Sequence, residues 1–455
     1  MKMKKVIEMM MASAMVISLA ACGNASTSTT KQAEEPAKEQ TASEVKESPK
    51  ESIEAKGPVT LNVTTTYAGN DGNAGNYQQA ISDWQAQTGN KVNDASATSD
   101  ETFKARVLSD FETGSEPDIL FFFNGVDSNA FVEAGKVVSI DTIRTEYSDY
   151  ASNMKDGMLG ASPVDGVNYS VPVNGYWEGM FVNKSVCEAA GVEIPDADTT
   201  WDEFLETCQK IKDAGYSPIA ASLATIPHYW FEFSIFNYLD TATHNILPGS
   251  TSDTHGKAWV SGINDIKTLY DKGFFPDNTL TGTDDETVQM FIDGKAAFLI
   301  DGSWKVGGIE SMTDNIDNFT VTYVPGKNNR KTTDIIGGLS SGYYITKKAW
   351  DDPDKRDAAI EFVTYMTSDE MVSKFAGVSA TALKDGVSVD ESALSSLAVA
   401  GLELVKGATG MTSAVQDQIP TEARVPVFDG MPNLVVGKVD ITEAVSQVLE
   451  LIPAK

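Results

Sequence analysis

The stretch Tyr169-Ser-Val-Pro-Val-Asn-Gly-Tyr-Trp-Glu-Gly-Met-Phe-Val-Asn183 is the part of the sequence that decides the fold. It opens with the apolar/polar alternation of a strand, and Pro172, which lacks an N–H, must end or interrupt the strand pairing. After the aromatic pair Tyr176-Trp177, Met180-Phe-Val182 predicts a second, buried strand. A strand that breaks, exposes two aromatic side chains and restarts suits a chain that crosses between two domains. An aromatic-rich loop packed on one core is the alternative interpretation.

The residues before this stretch predict alternating strands and helices. Val59 to Thr65 alternates as a first strand, and an amphipathic helix with Trp84 on its apolar face follows and stops at Gly89. Glu116 to Asn124 is a continuous apolar strand that ends in a polar residue. Strand, helix and fully apolar strand in this order indicate a covered, mostly parallel sheet.

The residues after it predict a second α/β region. Thr200-Trp-Asp-Glu203 is a capping box that begins a helix ending near Gly215. Lys295 to Ile300 is a strand followed by Asp301-Gly-Ser-Trp304, and Asp351 to Ala376 is predicted as one long helix. Trp84, Trp201 and Trp259 lie on helical apolar faces and are expected in the core.

The N-terminus has the pattern of an export signal. A basic start precedes a short apolar run from Val6 to Ala21, and Leu19-Ala-Ala-Cys22 resembles the bacterial lipobox, in which the cysteine is lipid-modified after cleavage. The prediction is a signal peptide over residues 1–21 and a lipidated Cys22; an ordinary signal with a chance cysteine is the alternative. Residues 22–57 are polar, lack aromatic side chains and are predicted to form a disordered stalk.

The composition excludes several classes of partner. The 455 residues carry a formal net charge of −30, which argues against nucleic acid, phosphate-rich ligands and anionic membrane surfaces. Cys187 and Cys208 are expected as buried thiols, with a disulfide between them left open. The three histidines lack zinc spacing, so no metal or other cofactor is expected.

Several short motifs together resemble the extracellular solute-binding proteins, family 1, of carbohydrate ABC transporters, the maltose-binding-protein-like group. The resemblance runs from about Val59 to the C-terminus. Its motifs, in order, are Pro117-Asp-Ile119, Tyr169-Ser-Val-Pro172, Phe181-Val-Asn-Lys184, Thr200-Trp-Asp-Glu-Phe204, Gly294-Lys-Ala-Ala297, Gly302-Ser-Trp304 and Gly337–Gly342 before Tyr343-Tyr-Ile-Thr346.

This resemblance implies a type II periplasmic-binding-protein fold: α/β, with two lobes of mostly parallel sheet joined by crossing hinge segments around a ligand cleft. It places the N-terminal lobe at residues 58–172 plus 341–382 and the C-terminal lobe at 173–340 plus 383–455. It also implies a monomer that captures a sugar or oligosaccharide by hinge closure and delivers it to the permease subunits of an ABC importer. The protein would be held by its lipid anchor on the outer face of the bacterial cytoplasmic membrane.

The family binds ligand at loops that follow the strands. Sugars offer C–H faces to aromatic rings and hydroxyl rims to polar side chains. The resemblance therefore implies ligand contacts from Tyr67, Asn124, Tyr176, Trp177, His228, Trp230, Asp301 and Trp304.

Four of the polar and aromatic candidates have alternatives. Trp304 could pack in the core, and Asp301 could be a helix N-cap rather than a ligand carboxylate. Glu178 is either a hydrogen-bond acceptor or a solvated charge. Arg424 falls where the family has a late cleft segment, but the residues around it depart from the usual aromatic pattern.

A surface adhesin or structural lipoprotein is one alternative to a sugar-binding protein, and the aromatic residues at the predicted strand ends argue against it. Two other functions also compete with a sugar-binding protein. A cleft for an amino acid, peptide or polyamine is one; an amino-acid site would need an arginine for the carboxylate, and arginine is scarce near the candidate loops. An anchored glycoside hydrolase is the other, and would need a pair of carboxylates across the cleft, for which Glu178 and Asp301 are the candidates. Nothing marks them as a catalytic pair, so the expectation is that the protein is not an enzyme.

Overall fold

The computed structural model describes residues 57–69, 71–377, 379–387 and 391–452, which belong to one compact unit. Its strands are Thr60–Thr64 (β1), Lys91–Asp94 (β2), Ile119–Phe123 (β3), Gly160–Ala161 (β4), Asn168–Ser170 (β5), Tyr176–Asn183 (β6), Ser217–Ile219 (β7), Ala296–Gly302 (β8), Phe319–Thr322 (β9), Asp334–Gly338 (β10), Ser341–Ile345 (β11) and Gly410–Thr412 (β12).

The α-helices are Ala74–Thr88 (α1), Glu101–Thr113 (α2), Asn129–Glu133 (α3), Ile140–Arg144 (α4), Lys184–Ala189 (α5), Trp201–Asp213 (α6), His228–Phe236 (α7), Thr254–Asp271 (α8), Asp284–Ile292 (α9), Lys305–Met312 (α10), Lys347–Asp351 (α11), Pro353–Met366 (α12), Asp369–Ala376 (α13), Ser396–Gly407 (α14), Thr421–Arg424 (α15), Met431–Val435 (α16) and Ile441–Leu451 (α17).

The first sheet has the strand order β11-β3-β1-β2. β1 runs parallel to β2 and β3, and β11 pairs antiparallel with β3 at the edge. Ile119 and Phe121 pack with residues of α1 and α12 on one face, while Leu120 and Phe122 pack with α2 and α3 on the other. Because both faces are covered, β3 has a continuous apolar sequence. We call this sheet and its helices the first lobe.

The second sheet has the order β12-β10-β6-β8-β7, and β9 also pairs with β6. It is more mixed than the sequence predicts, since β6 is antiparallel to β8, β9 and β10. Met180 and Val182 of β6 face a large cluster that includes residues of α6, α7 and α8. Trp177 and Phe181 face a second cluster that includes α14. We call this sheet and its helices the second lobe.

Gly175 lies where connections between the two lobes meet. Its N–H donates a hydrogen bond to the carbonyl of Ala380, 2.6 Å away. A Cβ at this position would lie 2.5 Å from the Gly338 carbonyl oxygen and 2.9 Å from that of Ala380. Only glycine allows the segment after α13, the end of β10 and the chain entering β6 to pack this closely.

Two sequence expectations are corrected by the structure, and the expectation of buried thiols at Cys187 and Cys208 is confirmed. Tyr176 and Trp177 are the first residues of β6 rather than an exposed loop, and Trp177 is buried. The long helix predicted over 351–376 is interrupted, because Ser368 caps a new helix at Asp369 with its side chain. Cys187 and Cys208 are free, buried thiols, so the disulfide alternative is wrong.

The other predicted helices and the core tryptophans are confirmed. Thr200 and Glu203 form the reciprocal capping box of α6, and α1 ends at Gly89, which adopts a left-handed conformation. Trp84, Trp201 and Trp259 are buried. No helix in the described part of the chain is long and apolar enough to cross a membrane. The predicted signal peptide, Cys22 and the stalk up to residue 56 lie outside the described residues.

Candidate functional site

A cavity of about 1330 Å³, including its open mouth, lies between the two lobes. The first lobe contributes Tyr67 after β1 and residues around the start of α2. The second lobe contributes the start of β6, the start of α7, the turn between β8 and α10, and the segment before α15. The site is therefore built at strand ends and helix starts, as is usual for ligand sites in open α/β sheets.

Three aromatic rings form the wall on the second lobe. The ring of Trp304 lies 6.0 Å from that of Tyr176 and 5.7 Å from that of Tyr229. A Cβ on Gly302 would come within 2.2 Å of the Trp304 ring, so this glycine lets the indole lie over the end of β8. Flat, partly exposed rings of this kind suit the C–H face of a sugar or another apolar ligand surface.

Tyr67 forms part of the opposite wall and is more buried than the sequence suggests. It is 3 % exposed, and its ring stacks on Phe121 at 4.7 Å. Its hydroxyl donates to Oδ1 of Asn174, just before β6. Tyr67 therefore lines the cavity with its position fixed by both the first-lobe core and the connection between lobes.

The structure brings four of the eight predicted ligand contacts to the cavity: Tyr67, Tyr176, His228 and Trp304. His228 is half-buried at the start of α7, where desolvation first, and then Lys104 and Arg424, hold its pKa well below the usual value. It is a neutral imidazole at neutral pH and can exchange hydrogen bonds with a ligand without charge.

The other four predicted contacts lie elsewhere. Trp177 is 1 % exposed because neighbouring residues of a strand point to opposite faces, so Tyr176 and Trp177 cannot both face the cavity. Trp230 is 2 % exposed and packs on Phe275 in the second-lobe core. Asn124 accepts hydrogen bonds from Ser170 and the Tyr344 hydroxyl instead of lining the cavity.

Asp301 is buried within β8 and is not a helix N-cap, since α10 begins after Trp304. Its Oδ1 accepts the N–H of Gly302, and its Oδ2 lies 3.7 Å from Nζ of Lys305. Lys305 also pairs with Asp284 at 2.7 Å and lines the cavity. Asp301 thus helps to hold a lysine of the cavity wall.

Sequence reasoning missed Tyr229 and most of the cavity carboxylates. Tyr229 lies between two residues that were named, and the helical turn brings it to the wall while Trp230 turns into the core. Asp100 is the N-cap of α2, and Asp284 is the first residue of α9. An acidic residue is favourable at either position of a helix, so the sequence offers a sufficient local reason for both. Their further exposure to the cavity depends on tertiary packing.

Burial perturbs several of the acids at the site. It raises the pKa of Asp71 to about 6 and that of Asp417 to about 7. Burial also raises the pKa of Asp301 to about 7, although the charge of Lys305 acts in the opposite direction. The pKa of Glu178 is raised well above its usual value by burial, and then by Glu232, Asp301 and Asp417.

A buried glutamate positions the segment that carries Asp417. The carboxylate of Glu232 accepts the backbone N–H groups of Val415 and Gln416, at 3.1 and 2.8 Å. The same carboxylate lies 2.6 Å from Nε2 of His244. These hydrogen bonds from the second lobe hold Gln416 and Asp417 in the cavity lining.

Arg424 joins the two lobes. Its Nη2 donates to both carboxylate oxygens of Asp127 at 3.0 Å, and its Nη1 donates to Glu101 at 3.0 and 3.2 Å. Lys104 lies 2.9 Å from Glu101 and 3.4 Å from Asp127. Arg424 therefore holds the first lobe by buried ion pairs behind the cavity, rather than reaching the ligand space itself.

The comparison with known proteins agrees with this architecture. The family model described as bacterial extracellular solute-binding protein matches residues 70–372. The sn-glycerol-3-phosphate-binding periplasmic protein of Rhizobium meliloti (strain 1021) is 24% identical over 61% of this chain and 64% of its own length. The multiple sugar-binding protein of Streptococcus mutans is 22% identical over 60% of this chain and 62% of its own. Each match thus spans just under two thirds of the relative.

Solved structures show the same fold. A chitin oligosaccharide binding protein superposes with a TM-score of 0.74 at 20% identity, covering 87% of this chain and 98% of the other. A maltose-bound protein of T. maritima superposes with a TM-score of 0.67 at 16% identity, covering 87% and 99%. At these identities the likeness concerns the type II α/β architecture of two lobes around a cleft.

Proposed function

The chain belongs to the family of bacterial extracellular solute-binding proteins, and on that premise we propose that it captures a sugar or short oligosaccharide and delivers it to the permease of an ABC importer. The observation that carries this proposal is the inter-lobe cavity, in which the rings of Tyr176, Trp304 and Tyr229 form one wall. An aromatic wall beside polar side chains matches the alternation of C–H faces and hydroxyl rims on a saccharide.

Capture would proceed by closure of the lobes around the connections near Gly175. A ligand that touches both lobes favours the closed arrangement by its differential contacts alone. We propose lobe boundaries of 58–172 plus 341–382 and 173–340 plus 383–455. The strands support this division, since the strands of the first sheet fall in the first set and those of the second sheet in the second.

A thermal-shift screen of neutral mono- and oligosaccharides, on the chain without residues 1–21, tests the proposal. A ligand that binds only the folded state raises the melting temperature by mass action. Amino acids, short peptides and polyamines form the second panel. Stabilisation by a member of the second panel, with none by any saccharide, would overturn the sugar assignment.

We propose a binding role without catalysis, which the family and the cavity support. Glu178 and Asp301 lie on neighbouring strands of one sheet, and Asp301 is occupied with Lys305 and the Gly302 N–H. They do not face each other across the cleft as the two carboxylates of a glycoside hydrolase do. Incubation of the protein with its ligand should return the ligand intact, as judged by mass spectrometry.

We also propose that the protein is a monomer tethered outside the cell by a lipid on Cys22, with residues 22–57 as the stalk. The motif Leu19-Ala-Ala-Cys22 supports this. Two or more acyl chains would hold the protein on the membrane durably. Cys22→Ser should release the protein from membranes or leave it unprocessed, with the same ligand affinity; membrane retention equal to that of the parent would contradict the anchor.

A further inference from the structure

The cavity is strongly acidic. Its lining includes the carboxylates of Asp71, Asp100, Glu101, Glu178, Asp284, Asp285 and Asp417, against the two lysines Lys104 and Lys305. Such an excess of carboxylates near low-dielectric walls attracts cations and repels anions. An acidic lining alone does not define a site, so the pairing of each charge decides what the cavity can accept.

Both lysines of the lining are already engaged. Lys104 pairs with Glu101 and Asp127, and Lys305 pairs with Asp284 at 2.7 Å. Among the described lining residues, no lysine or arginine is left to receive a phosphate or carboxylate of a ligand. The cavity therefore does not suit an anionic solute.

Glu178 is the opposite case, a buried acid without a counter-charge. It is 1 % exposed, lines the cavity, and its Oε2 has no hydrogen-bond partner in the described part of the chain. Strand alternation aims it to the same side of β6 as Tyr176, which belongs to the aromatic wall. A buried carboxyl that lacks a partner is costly, unless a bound group completes it.

The groups around Glu178 do not supply that partner. Those that face it are Tyr176 of β6, Asp301 of β8, Tyr229 and Glu232 of α7, and Asp417 before α15. Burial, and then the carboxylates of Glu232, Asp301 and Asp417, raise the pKa of Glu178 well above its usual value. Lys305 and Lys104 are the nearby cations of the lining, and both have their own carboxylates.

We propose that the solute is a saccharide bearing a protonated amino group, whose ammonium is taken by Glu178 while a sugar ring stacks on Trp304. This inference rests on the proposed function, which supplies the saccharide. An ammonium has three donors and no acceptor, so it matches a cluster of carboxylates. On binding, the Glu178 carboxyl loses its proton to solvent and forms a charge-assisted hydrogen bond with the ammonium.

The first test is a matched calorimetric panel at pH 6, where a sugar amine is protonated. It compares glucosamine oligomers with their N-acetylated, neutral forms, and includes glucuronate, glycerol 3-phosphate and spermidine. We expect the cationic oligomer to bind at least about 10-fold more tightly than its neutral match, as a charge-assisted hydrogen bond allows. The anions should not bind.

Glu178→Gln should reduce this preference to less than about 3-fold, because the amide keeps the shape and cannot ionise. Glu206→Gln, the same change at an exposed position of α6, is the matched control and should leave both affinities unchanged. In the parent protein, calorimetry in two buffers of different ionisation enthalpy should show release of up to about one proton with the cationic ligand and none with the neutral one.

The outcomes separate this inference from the proposed function. Neutral oligomers that bind as tightly as cationic ones, or a preference that survives in Glu178→Gln, would overturn the ammonium site and leave a sugar-binding protein. Binding of either anion would also overturn it. Binding of spermidine without any saccharide would overturn the sugar assignment and this inference together.

Discussion

The two faces of β6 differ in what their side chains border: one face packs against a helix, and the other lines the cavity. On one face Trp177 and Phe181 stack with ring centroids 6.0 Å apart, and α14 packs so closely that a Cβ on Gly401 would lie 2.5 Å from the Trp177 ring. On the other face Tyr176 and Glu178 border the cavity, and Glu178 has an oxygen without a partner. Adjacent residues of one strand therefore belong to a packed hydrophobic core and to the cavity wall.

This contrast separates stability from binding at neighbouring positions. A side chain on the core face makes its packing contacts within the folded protein, so its removal should lower the free energy of unfolding. A side chain on the cavity face gains its last contacts from the solute, so its removal should be felt in affinity. The four predictions below run from the largest expected effect to the smallest.

Trp177→Ala should destabilise the protein by roughly 3–5 kcal/mol, because it leaves a cavity between β6 and α14. The free energy of unfolding in denaturant measures the effect. Ligand affinity of the folded variant should change little. A variant that unfolds like the parent but binds weakly would show that the Trp177 ring reaches the solute after all.

Arg424→Met removes a positive partner of the buried Asp127 carboxylate, which then resembles Glu178 in lacking that counter-charge. Asp127 is 5 % exposed and forms ion pairs with Arg424 and Lys104. Removing one partner of a buried ion pair is strongly unfavourable, and we expect the variant to relieve this cost by opening the lobes, which would let water reach Asp127. We therefore expect a loss of ligand affinity of at least about 100-fold with little loss of unfolding free energy.

Small-angle scattering should show that Arg424→Met fails to contract at ligand concentrations that saturate the parent. Arg106→Met is the control: it removes the same group from an exposed position of α2, where Arg106 donates to the Ala95 carbonyl. Equal effects of the two variants would mean that overall charge, rather than the inter-lobe ion pairs, is responsible.

Trp304→Ala should weaken ligand binding by about 10- to 150-fold, since burying an aromatic face against a ligand contributes roughly 1.5–3 kcal/mol. Trp304 is half-buried in the free protein, so the variant should lose less unfolding free energy than Trp177→Ala does. Calorimetric titration and denaturant unfolding on both variants give the comparison directly. A Trp304 variant that binds normally and melts far lower would assign this ring to packing.

Lowering the pH from 7.5 to 5 should stabilise the empty protein. Burial raises the pKa of Asp71 to about 6 and that of Asp417 to about 7, and raises that of Glu178 further. Between pH 4 and pH 7 the folded state therefore holds protons that the unfolded chain has released, and stability falls as pH rises. We expect a gain of at least about 1 kcal/mol at the lower pH, or roughly 2–4 °C or more in melting temperature.

Glu178→Gln combined with Asp417→Asn should flatten this pH dependence, because neither replacement titrates. A melting temperature that falls steadily from pH 7.5 to pH 5 in the parent would contradict the raised pKa values. The measurement needs no ligand, so it probes the buried acids of the cavity separately from any solute.

The sequence predicts the elements well where the periodicity is local. The capping box of α6, the apolar run of β3 and the core position of Trp259 follow from patterns within a few residues. Trp177 was misplaced because Pro172 and Gly175 suggested a loop, while the strand restarts at Tyr176 and sends alternate residues to opposite faces. Pattern alone does not give the residue at which a strand resumes.

The candidate site was less accessible from sequence. Arg424 meets Glu101 and Asp127 across about 300 residues of chain, and no local pattern reports such a contact. The cavity acids at helix starts have an adequate local explanation as caps, so their second role was hidden. The sequence does not distinguish Tyr229 from its neighbours His228 and Trp230, because all three side chains carry rings suited to a ligand contact.

The connectivity of the first sheet has a consequence for the timing of folding during synthesis and export. β3 pairs with β11, and its core includes Phe362 of α12, so this lobe is completed by residues made after almost all of the second sheet. Domains generally fold as units as their residues emerge. The N-terminal half must therefore wait, incomplete, until about residue 376 has appeared. That delay keeps the first lobe incompletely folded while most of the second sheet is being synthesised.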